Sequence, residues 1–166
     1  TLYTGATPSL NAWHHLAIQR SGLYIEVYVD GTRLASVGAQ TMRTSTSVVR
    51  IGQGNATQYP FSGYISNVRI VKGTPVYPSG STITVPTAPL TAISGTVLLT
   101  CQSNRFVDTN TQTTAKTITV NGSPSVQAFS PFNPTASWSA ATYGGSGYFD
   151  GNGDYLSVAN NTGFDF

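Results

Sequence analysis

The stretch from Leu23 to Val37, LYIEVYVDGTRLASV, decides the fold. Its first half alternates between two faces, one made of Leu23, Ile25, Val27 and Val29 and the other of Tyr24, Glu26 and Tyr28. A period of two is that of a β-strand. Asp30-Gly31 follows, a dipeptide that favours a type I′ turn because both central residues need a positive φ. The stretch therefore predicts a β-hairpin whose second strand runs from about Arg33 to Val37.

The rest of the chain repeats this texture of short strands and turns. No segment keeps a 3.6-residue apolar period for ten or so residues, so no long helix is expected. Further strands are predicted in WHHLAIQR (13–20), SVVRIGQG (47–54), FSGYISNVRIVKG (61–73), TVLLTCQ (96–102), KTITVNG (116–122), SGYFDG (146–151) and DYLSVAN (154–160). Residues 74–95 contain four prolines. They predict an extended connector laid across a surface, because proline cannot donate to a strand ladder. The sum predicts an all-β antiparallel sandwich.

The composition is poor in charge. Only 8% of the residues are charged, against about a quarter in ordinary domains, and the net charge is +2. This profile is typical of β-rich extracellular, fibre or capsid material. It predicts no nucleic-acid partner, and the lack of an apolar run of about 18 residues predicts no membrane insertion. The single cysteine, Cys101, excludes an intramolecular disulfide and a cysteine-based zinc site, and it is predicted to be a buried thiol.

Two groups of motifs resemble a known family. WHHLAIQRSGLYIEVYVDGTRL, RIGQGN and FSGYISNVRIVKG resemble the closing half of a laminin G-like domain, a jelly-roll sandwich of the concanavalin A type. TVLLTCQSNRFVDTN and GSGYFDGNGDYLSVANNTGFDF resemble the opening half. The resemblance implies a closing half in residues 1–73, a proline-rich connector in 74–95 and an opening half in 96–166.

The two halves stand in reversed order, which leaves two arrangements open. Residues 96–166 either begin the next laminin G-like domain or complement residues 1–73 in one permuted sandwich. In the second case residues 146–158 would pair with residues 61–72. The first residues of the sequence predict a segment that starts partway through a domain.

The segments TAPLTAISGTVLLTCQSNRFVD and TITVNGSPSVQAFSPF resemble those between laminin G-like repeats in virion proteins of marine phages, especially cyanophages. This resemblance implies a non-enzymatic module of a virion surface protein, such as a phage fibre, a tail appendage or a capsid decoration, located on the virion or outside the cell. Its expected partners are host-surface glycans, other virion proteins and copies of itself in a homo-oligomer. The alternatives are a carbohydrate-active enzyme domain and a bacterial secreted adhesin.

Catalysis is not expected. His14 and His15 are consecutive, so in a strand they point to opposite faces and cannot converge on one ion. A Ser-His-Asp arrangement would use only one of them, and no GxSxG motif is present. Glycoside hydrolysis needs two carboxylates about 5 to 10 Å apart, whereas Glu26 stands alone between Tyr24 and Tyr28.

Two binding sites remain as candidates. The loop GQGNATQYPF offers amide and aromatic groups suited to carbohydrate, namely Gln53, Asn55, Gln58 and Tyr59. The stretch DGNGD places oxygen ligands at alternating positions, Asp150, Asn152 and Asp154, as at the start of a calcium loop. It lacks the glutamate that such a loop requires later, so no cofactor is expected and calcium is the alternative.

Overall fold

The structure is a computed structural model that describes residues 7–38, 46–55, 58–132 and 140–165. The chain divides into two compact units, one formed by residues 1–43 and 73–86 and the other by residues 44–72 and 87–166. Both are built from antiparallel strands. The only helices in the described ranges are the turn α1 (Ala140–Tyr143) and a 3-10 turn at Thr162–Phe164. No described helix is long and apolar enough to cross a membrane.

The first unit contains one sheet of three strands. β1 (Leu16–Ser21), β2 (Tyr24–Val29) and β3 (Thr32–Val37) lie in that order and are antiparallel. The predicted hairpin is confirmed, since Asp30 has a φ of 49° and Gly31 a φ of 81°, both positive as a type I′ turn demands.

The first strand begins later than the sequence predicted, at Leu16 instead of Trp13. The reason lies in Asp30, whose backbone N–H donates to the His15 carbonyl at 2.9 Å. The His15 N–H does not meet a strand carbonyl and donates to the Asp30 carboxylate, also at 2.9 Å. A side chain thus takes over from the backbone ladder at this end of the sheet.

The beginning of the proline-rich segment lies along the edge of this sheet. Thr82 forms an isolated antiparallel bridge with Thr32, and the Arg33 N–H donates to the Ser81 carbonyl at 2.8 Å. A Cβ atom built on Gly31 would stand 2.8 Å from the Ile83 carbonyl oxygen. The close approach therefore needs glycine in the turn, both for its φ and for its lack of a side chain. Residues 73–86, which we call the strap, belong to this unit.

The second unit contains short strands. They are β4 (Val49–Ile51), β5 (Gln53–Asn55), β6 (Gln58–Pro60), β7 (Ser62–Ile65), β8 (Val68–Val71), β9 (Thr96–Thr100), β10 (Ile118–Asn121), β11 (Ser125–Gln127), β12 (Ser146–Asp150) and β13 (Tyr155–Val158). Their sheets have the orders β10-β13-β4, β11-β12-β7, β5-β6 and β8-β9. The sequence predicted most of these strands and missed β6 and β11. Residues 133–139, between β11 and α1, lie outside the described residues.

The core of the second unit draws residues from several of these sheets. Phe149, Leu98 and Leu156 are fully buried at its centre. Cys101 lies in the same cluster at 2% exposure, and burial raises the pKa of its thiol to about 12. The prediction of a buried thiol is therefore confirmed.

Strands from the two ends of the sequence pair in this unit. β12 lies between β11 and β7, with Tyr148 opposite Tyr64 and Phe149 opposite Gly63. β13 lies between β10 and β4 in the same way. The permuted arrangement predicted that residues 146–158 pair with residues 61–72. Residues 147–150 do pair with residues 62–65. Residues 155–158 pair instead with β10 and β4, so that part of the prediction is wrong. The assignment of domains along the longer protein stays a prediction.

Candidate functional site

Glu26 occupies the centre of a buried polar cluster in the first unit. It is 1% exposed, and its carboxylate accepts four side-chain hydrogen bonds. The donors are Ser79 Oγ at 2.5 Å and Gln19 Nε2, Tyr28 Oη and Arg33 Nη1 at 3.0 Å each. One donor comes from the strap and the others from the sheet, so the cluster joins the two.

The surroundings of Glu26 fit a structural role, in which its carboxylate holds the strap to the sheet. Burial alone would raise the pKa of this carboxyl group, but the hydrogen bonds from Ser79, Gln19, Tyr28 and Arg33 outweigh it and hold the pKa below its usual value. A general acid needs a raised pKa and access to substrate. Glu26 has neither, since it is ionised and enclosed.

His14 is tied to the turn of the hairpin. Its Nδ1 lies 2.7 Å from Asp30 Oδ2, while its Nε2 lies 3.0 Å from Ser9 Oγ and 3.1 Å from the Ser9 carbonyl oxygen. The hydrogen bond to Asp30 raises the pKa of His14, and the same bond lowers the pKa of Asp30. Both ring nitrogens therefore face acceptors.

Ser9, His14 and Asp30 follow the order of a hydrolase triad, yet the proton positions differ. A carbonyl oxygen can only accept, so a hydrogen bond from the ring to the Ser9 carbonyl requires a proton on Nε2. The Nδ1 atom carries one toward the carboxylate. In its doubly protonated form, which the raised pKa favours, the ring has no lone pair with which to activate the Ser9 hydroxyl. His14 instead clamps the segment before β1 onto the hairpin.

His15 lies in a different environment from its neighbour. Its ring meets the Tyr77 ring edge-on at a centroid separation of 6.3 Å, and its Nδ1 is buried without a hydrogen-bond partner among the described residues. Burial lowers the pKa of His15. The two histidines contact different groups, and no group of three or more metal-binding side chains of His, Cys, Asp and Glu occurs in the described ranges.

The calcium candidates form a turn between β12 and β13. Asp154 is 3% exposed, and its carboxylate accepts the backbone N–H groups of Ser123 at 2.6 Å and Asp150 at 3.2 Å. The Asp150 carboxylate accepts the Asn152 N–H at 2.6 Å. These oxygens are used by backbone donors. Calcium binding at Asp150, Asn152 and Asp154 stays a prediction.

The predicted sugar-binding loop is the β5–β6 hairpin. Asn55 pairs with Gln58 and Gln53 with Pro60. Tyr59 is 77% exposed and has a φ of 58°, so its ring projects from the turn region. Gln58 is exposed, whereas Gln53 is half-buried, and residues 56 and 57 lie outside the described residues. Sugar binding by this hairpin stays a prediction.

A cluster of exposed aromatic rings lies on the β11-β12-β7 sheet. Tyr64 on β7 and Tyr148 on β12 stand directly opposite each other, with ring centroids 5.1 Å apart. Phe129, just after β11, meets Tyr64 edge-on at 4.9 Å. The three rings are 40%, 36% and 52% exposed, respectively. We call Tyr64, Tyr148 and Phe129 the aromatic face.

The alternation of the strands explains why the aromatic face is outside. Phe149, next to Tyr148, points into the core, and Ile65, next to Tyr64, packs against the core as well. Their neighbours must then point to the opposite side of the sheet. Phe129 is held in place by its backbone, because Ser146 Oγ donates to its carbonyl at 2.5 Å.

Polar side chains border the aromatic face. Ser125 stands opposite Tyr148, Ser62 stands opposite Asp150, and Gln127 Nε2 donates to Ser125 Oγ at 3.0 Å. All four of these polar residues are exposed. Three rings framed by hydroxyl, amide and carboxylate groups combine an apolar platform with hydrogen-bonding groups.

The sequence analysis missed the aromatic face. Tyr64 and Tyr148 lie in segments that it predicted as strands, and each alternates with a core residue. That signal shows that both rings point outward, but the sequence alone left open whether the two strands belong to the same sheet. β11, which leads to Phe129, was not predicted at all.

The comparisons with known proteins agree with the antiparallel architecture. The model of one family, described as the concanavalin A-like lectin/glucanases superfamily, matches residues 1–75. No curated protein and no solved structure matches the chain. The match and the antiparallel sheets together confirm the predicted fold class, an all-β sandwich of the concanavalin A type. Residues 1–75 are thus similar in sequence to the concanavalin A-like lectins and glucanases.

Proposed function

We propose that this chain is a non-enzymatic carbohydrate-binding module and that its aromatic face is the binding surface. The observation that carries the proposal is the exposed cluster of Tyr64, Tyr148 and Phe129 on a sheet whose other side is the core. Sugar rings present apolar C–H faces that stack on aromatic rings, and their hydroxyl groups form hydrogen bonds with side chains such as those of Gln127 and Ser125.

The rigidity of the aromatic face favours binding. Two of its rings sit on paired strands, so little conformational freedom is lost when a ligand is bound. Tyrosine adds to this by offering large contact area with few rotatable bonds. Exposed aromatic clusters on a soluble protein mark interaction sites more often than chance.

The described carboxylates support binding over hydrolysis. Glu26 is enclosed by donors, and the carboxylates of Asp108 and Asp154 accept backbone N–H groups. A retaining or inverting mechanism would need two carboxyl groups facing one sugar. The aromatic face has Asp150 at its border, and the Asp150 carboxylate accepts the Asn152 N–H.

The biological setting that we propose is the surface of a virion. The support is the resemblance of the connector segments to those of phage virion proteins, together with the charge-poor composition. In that setting the module would be part of a fibre, a tail appendage or a capsid decoration, would contact host-surface glycans, and would pack against other virion proteins or copies of itself.

A glycan array tests the proposal. The chain should retain a subset of glycans, and the variants Tyr64→Ala and Tyr148→Ala should each bind them about five- to tenfold more weakly, as expected for the loss of one stacking ring. Tyr59→Ala is the matched control, since it removes an exposed tyrosine from the β5–β6 hairpin, and it should bind as the parent does.

Three outcomes would contradict this proposal. Retention of no glycan would remove the binding function, and loss of binding only in Tyr59→Ala would move the site to the β5–β6 hairpin. Cleavage of a polysaccharide by the parent chain would show an enzyme instead.

A further inference from the structure

Arg50 is a positive charge with no acceptor among the described residues. It lies on β4, is partly buried, and its Nε is buried with no hydrogen-bond partner among the described residues. The described ion pairs join His14 to Asp30 and Arg33 to Glu26, and Arg50 takes part in neither. A guanidinium group is always charged at physiological pH and offers five N–H donors, so it costs free energy to leave them unmatched.

The other described arginines show how unusual this is. Arg20 donates through Nε to the Gly22 carbonyl at 3.1 Å, Arg33 to Glu26 at 3.0 Å and Arg69 to the Thr91 carbonyl at 3.0 Å. Arg105 is exposed, so water can satisfy its donors. Among them, only Arg50 has a buried Nε without an acceptor in the described ranges.

The guanidinium group of Arg50 is held in position by a ring. Its Cζ lies 5.7 Å from the centroid of Tyr155 on β13, within the range of a cation–π contact. Ile51 and Leu156, the neighbours of these two residues along their strands, are buried in the core. Arg50 and Tyr155 therefore project from the opposite side of the β10-β13-β4 sheet.

A second donor stands beside the first. Ser157 is the cross-strand partner of Arg50, so their side chains leave the same side of the sheet about 5 Å apart. Ser157 Oγ accepts a hydrogen bond from Asn121 Nδ2 at 3.1 Å. That bond occupies a lone pair of the hydroxyl group and leaves its O–H free to donate. The guanidinium group and the hydroxyl group thus offer donors side by side.

Three carboxylates of the second unit already accept hydrogen bonds from backbone groups. In the second unit, the carboxylates of Asp108, Asp150 and Asp154 accept backbone N–H groups of Leu99, Asn152 and Ser123. The bond to Asn152 lies within the β12–β13 turn, whereas the other two tie Asp108 to β9 and Asp154 to the segment after β10. The guanidinium group of Arg50 is therefore available to an anion other than these three carboxylates.

We infer that Arg50, Tyr155 and Ser157 form a second binding site that takes the carboxylate or sulfate group of an acidic saccharide. A carboxylate or sulfate oxygen pairs with the guanidinium N–H groups and the Ser157 O–H, because charge-assisted bonds to arginine are strong and bidentate. The choice of a saccharide over other anions depends on the proposed function. The site itself is distinct from the aromatic face, because it uses other strands and another sheet.

The test is an NMR titration of the whole chain that follows the Nε–Hε signal of Arg50. Sodium glucuronate is the probe, with sodium acetate and glucose as comparators, at constant ionic strength. The signal is assigned by its disappearance in Arg50→Gln. Glucuronate should shift it in a saturable manner, at concentrations about tenfold lower than acetate, and glucose should leave it unchanged. The tenfold margin reflects the additional contacts of the sugar ring.

Variants make the result specific. The Arg50→Gln variant should weaken glucuronate binding about tenfold, as read from the backbone amides of Ser157 and Tyr155. Arg20→Gln removes a positive charge that is hydrogen-bonded elsewhere, and it should leave binding unchanged.

Several results would overturn the inference. An Arg50 signal that does not move, or that moves equally with acetate and glucuronate, would leave only nonspecific anion contact. A sedimentation coefficient that falls in Arg50→Gln without any effect of glucuronate would identify an acidic group of a second copy as the occupant. Unchanged amide signals elsewhere in the variants show that the fold is intact.

Discussion

Glu26 illustrates how much one residue can decide in a chain with few charges. It is the sole glutamate of the sequence, and its carboxylate receives donors from β1, β2, β3 and the strap. The sequence showed that it had no second carboxylate beside it. It did not show the four donors, because Ser79 lies 53 positions away from Glu26 along the chain.

Replacement of this carboxylate should loosen the first unit. The Glu26→Gln variant keeps the shape but removes the charge, which weakens four hydrogen bonds and leaves Arg33 without its partner. We expect a loss of about 2 kcal/mol in the free energy of unfolding. Urea unfolding followed through the amide signals of β2 measures it, and Ser36→Ala, an exposed change on β3, is the control. An equal loss in both variants would contradict the anchoring role.

Acid should remove the same stabilisation. The pKa of Glu26 is lower in the folded state than in the unfolded state, where it is about 4.3. Between these two values the unfolded chain binds more protons, so the contribution is complete above the unfolded pKa and is lost as the pH falls through the folded pKa. The stability difference between the parent chain and Glu26→Gln should therefore shrink as the pH drops below about 4.

The two adjacent histidines should have pKa values on opposite sides of the ordinary histidine pKa. Histidine has an unperturbed pKa of about 6.5. The hydrogen bond to Asp30 raises the pKa of His14, and burial lowers that of His15. The clamp by His14 is thus complete below about pH 6.5 and is lost as the pH rises through the folded pKa. NMR titration of the ring protons measures both.

The Asp30→Asn variant supplies the control for these titrations. It should bring the pKa of His14 down toward the ordinary value and leave that of His15 below it. Equal midpoints for the two rings in the parent chain would contradict the structure.

Turns between strands are the elements that sequence patterns locate best in this chain. Asp30-Gly31 gives the hairpin of the first unit because local chemistry alone sets the two φ angles. The β1 boundary was misplaced because a side chain of a distant residue replaces the ladder there. The aromatic face was missed because it depends on β7, β12 and β11 being neighbours in one sheet. Local elements are thus predictable from the sequence, and contacts between strands far apart in it are not.

Gly52 lies in the turn between β4 and β5, at a position that should tolerate no side chain. Its φ is 94°, and a Cβ atom would stand 2.5 Å from the ring of Phe149. We expect Gly52→Ala to cost about 3 kcal/mol through backbone strain and overpacking. Gly153→Ala is the matched control, since Gly153 has a φ of 80° with open space around it, and it should cost about 1 kcal/mol.

Thermal unfolding of the two glycine variants measures the difference. The unfolding temperature of the second unit should be lowered more by Gly52→Ala than by Gly153→Ala. A similar shift in both would show that the ring of Phe149 moves aside at little cost.

The second unit as a whole depends on strands from both ends of the sequence. The connector, residues 74–95, separates two sets of paired strands. Before it come β4, β7 and β8, and after it come their respective partners β13, β12 and β9. The motifs predicted both sets of strands and the fold class. The choice between one sandwich and parts of two could not be made from the sequence. Sequence patterns show which residues favour strands, but they do not show which strands pair with each other.

Fragments of the chain should therefore reassemble. Residues 1–95 and 96–166, produced separately, are each expected to lack a stable second unit, and their mixture should form a one-to-one complex because three pairs of strands join them. Size-exclusion chromatography with amide NMR measures this. A well-dispersed spectrum for residues 44–72 in the first fragment alone would contradict it.

The bond from Ser66 Oγ to the Gly145 carbonyl joins residues 79 positions apart. A ribosome adds about 5–20 residues per second, so β7 leaves the exit tunnel roughly 4–16 seconds before β12 can follow. During that interval the edges of β7 and the apolar side of its sheet have no partner from their own chain. In a cell that makes many copies at once, the nearest available edge belongs to another nascent chain. The late arrival of β12 thus makes chaperone supply and translation rate a determinant of the yield of folded protein.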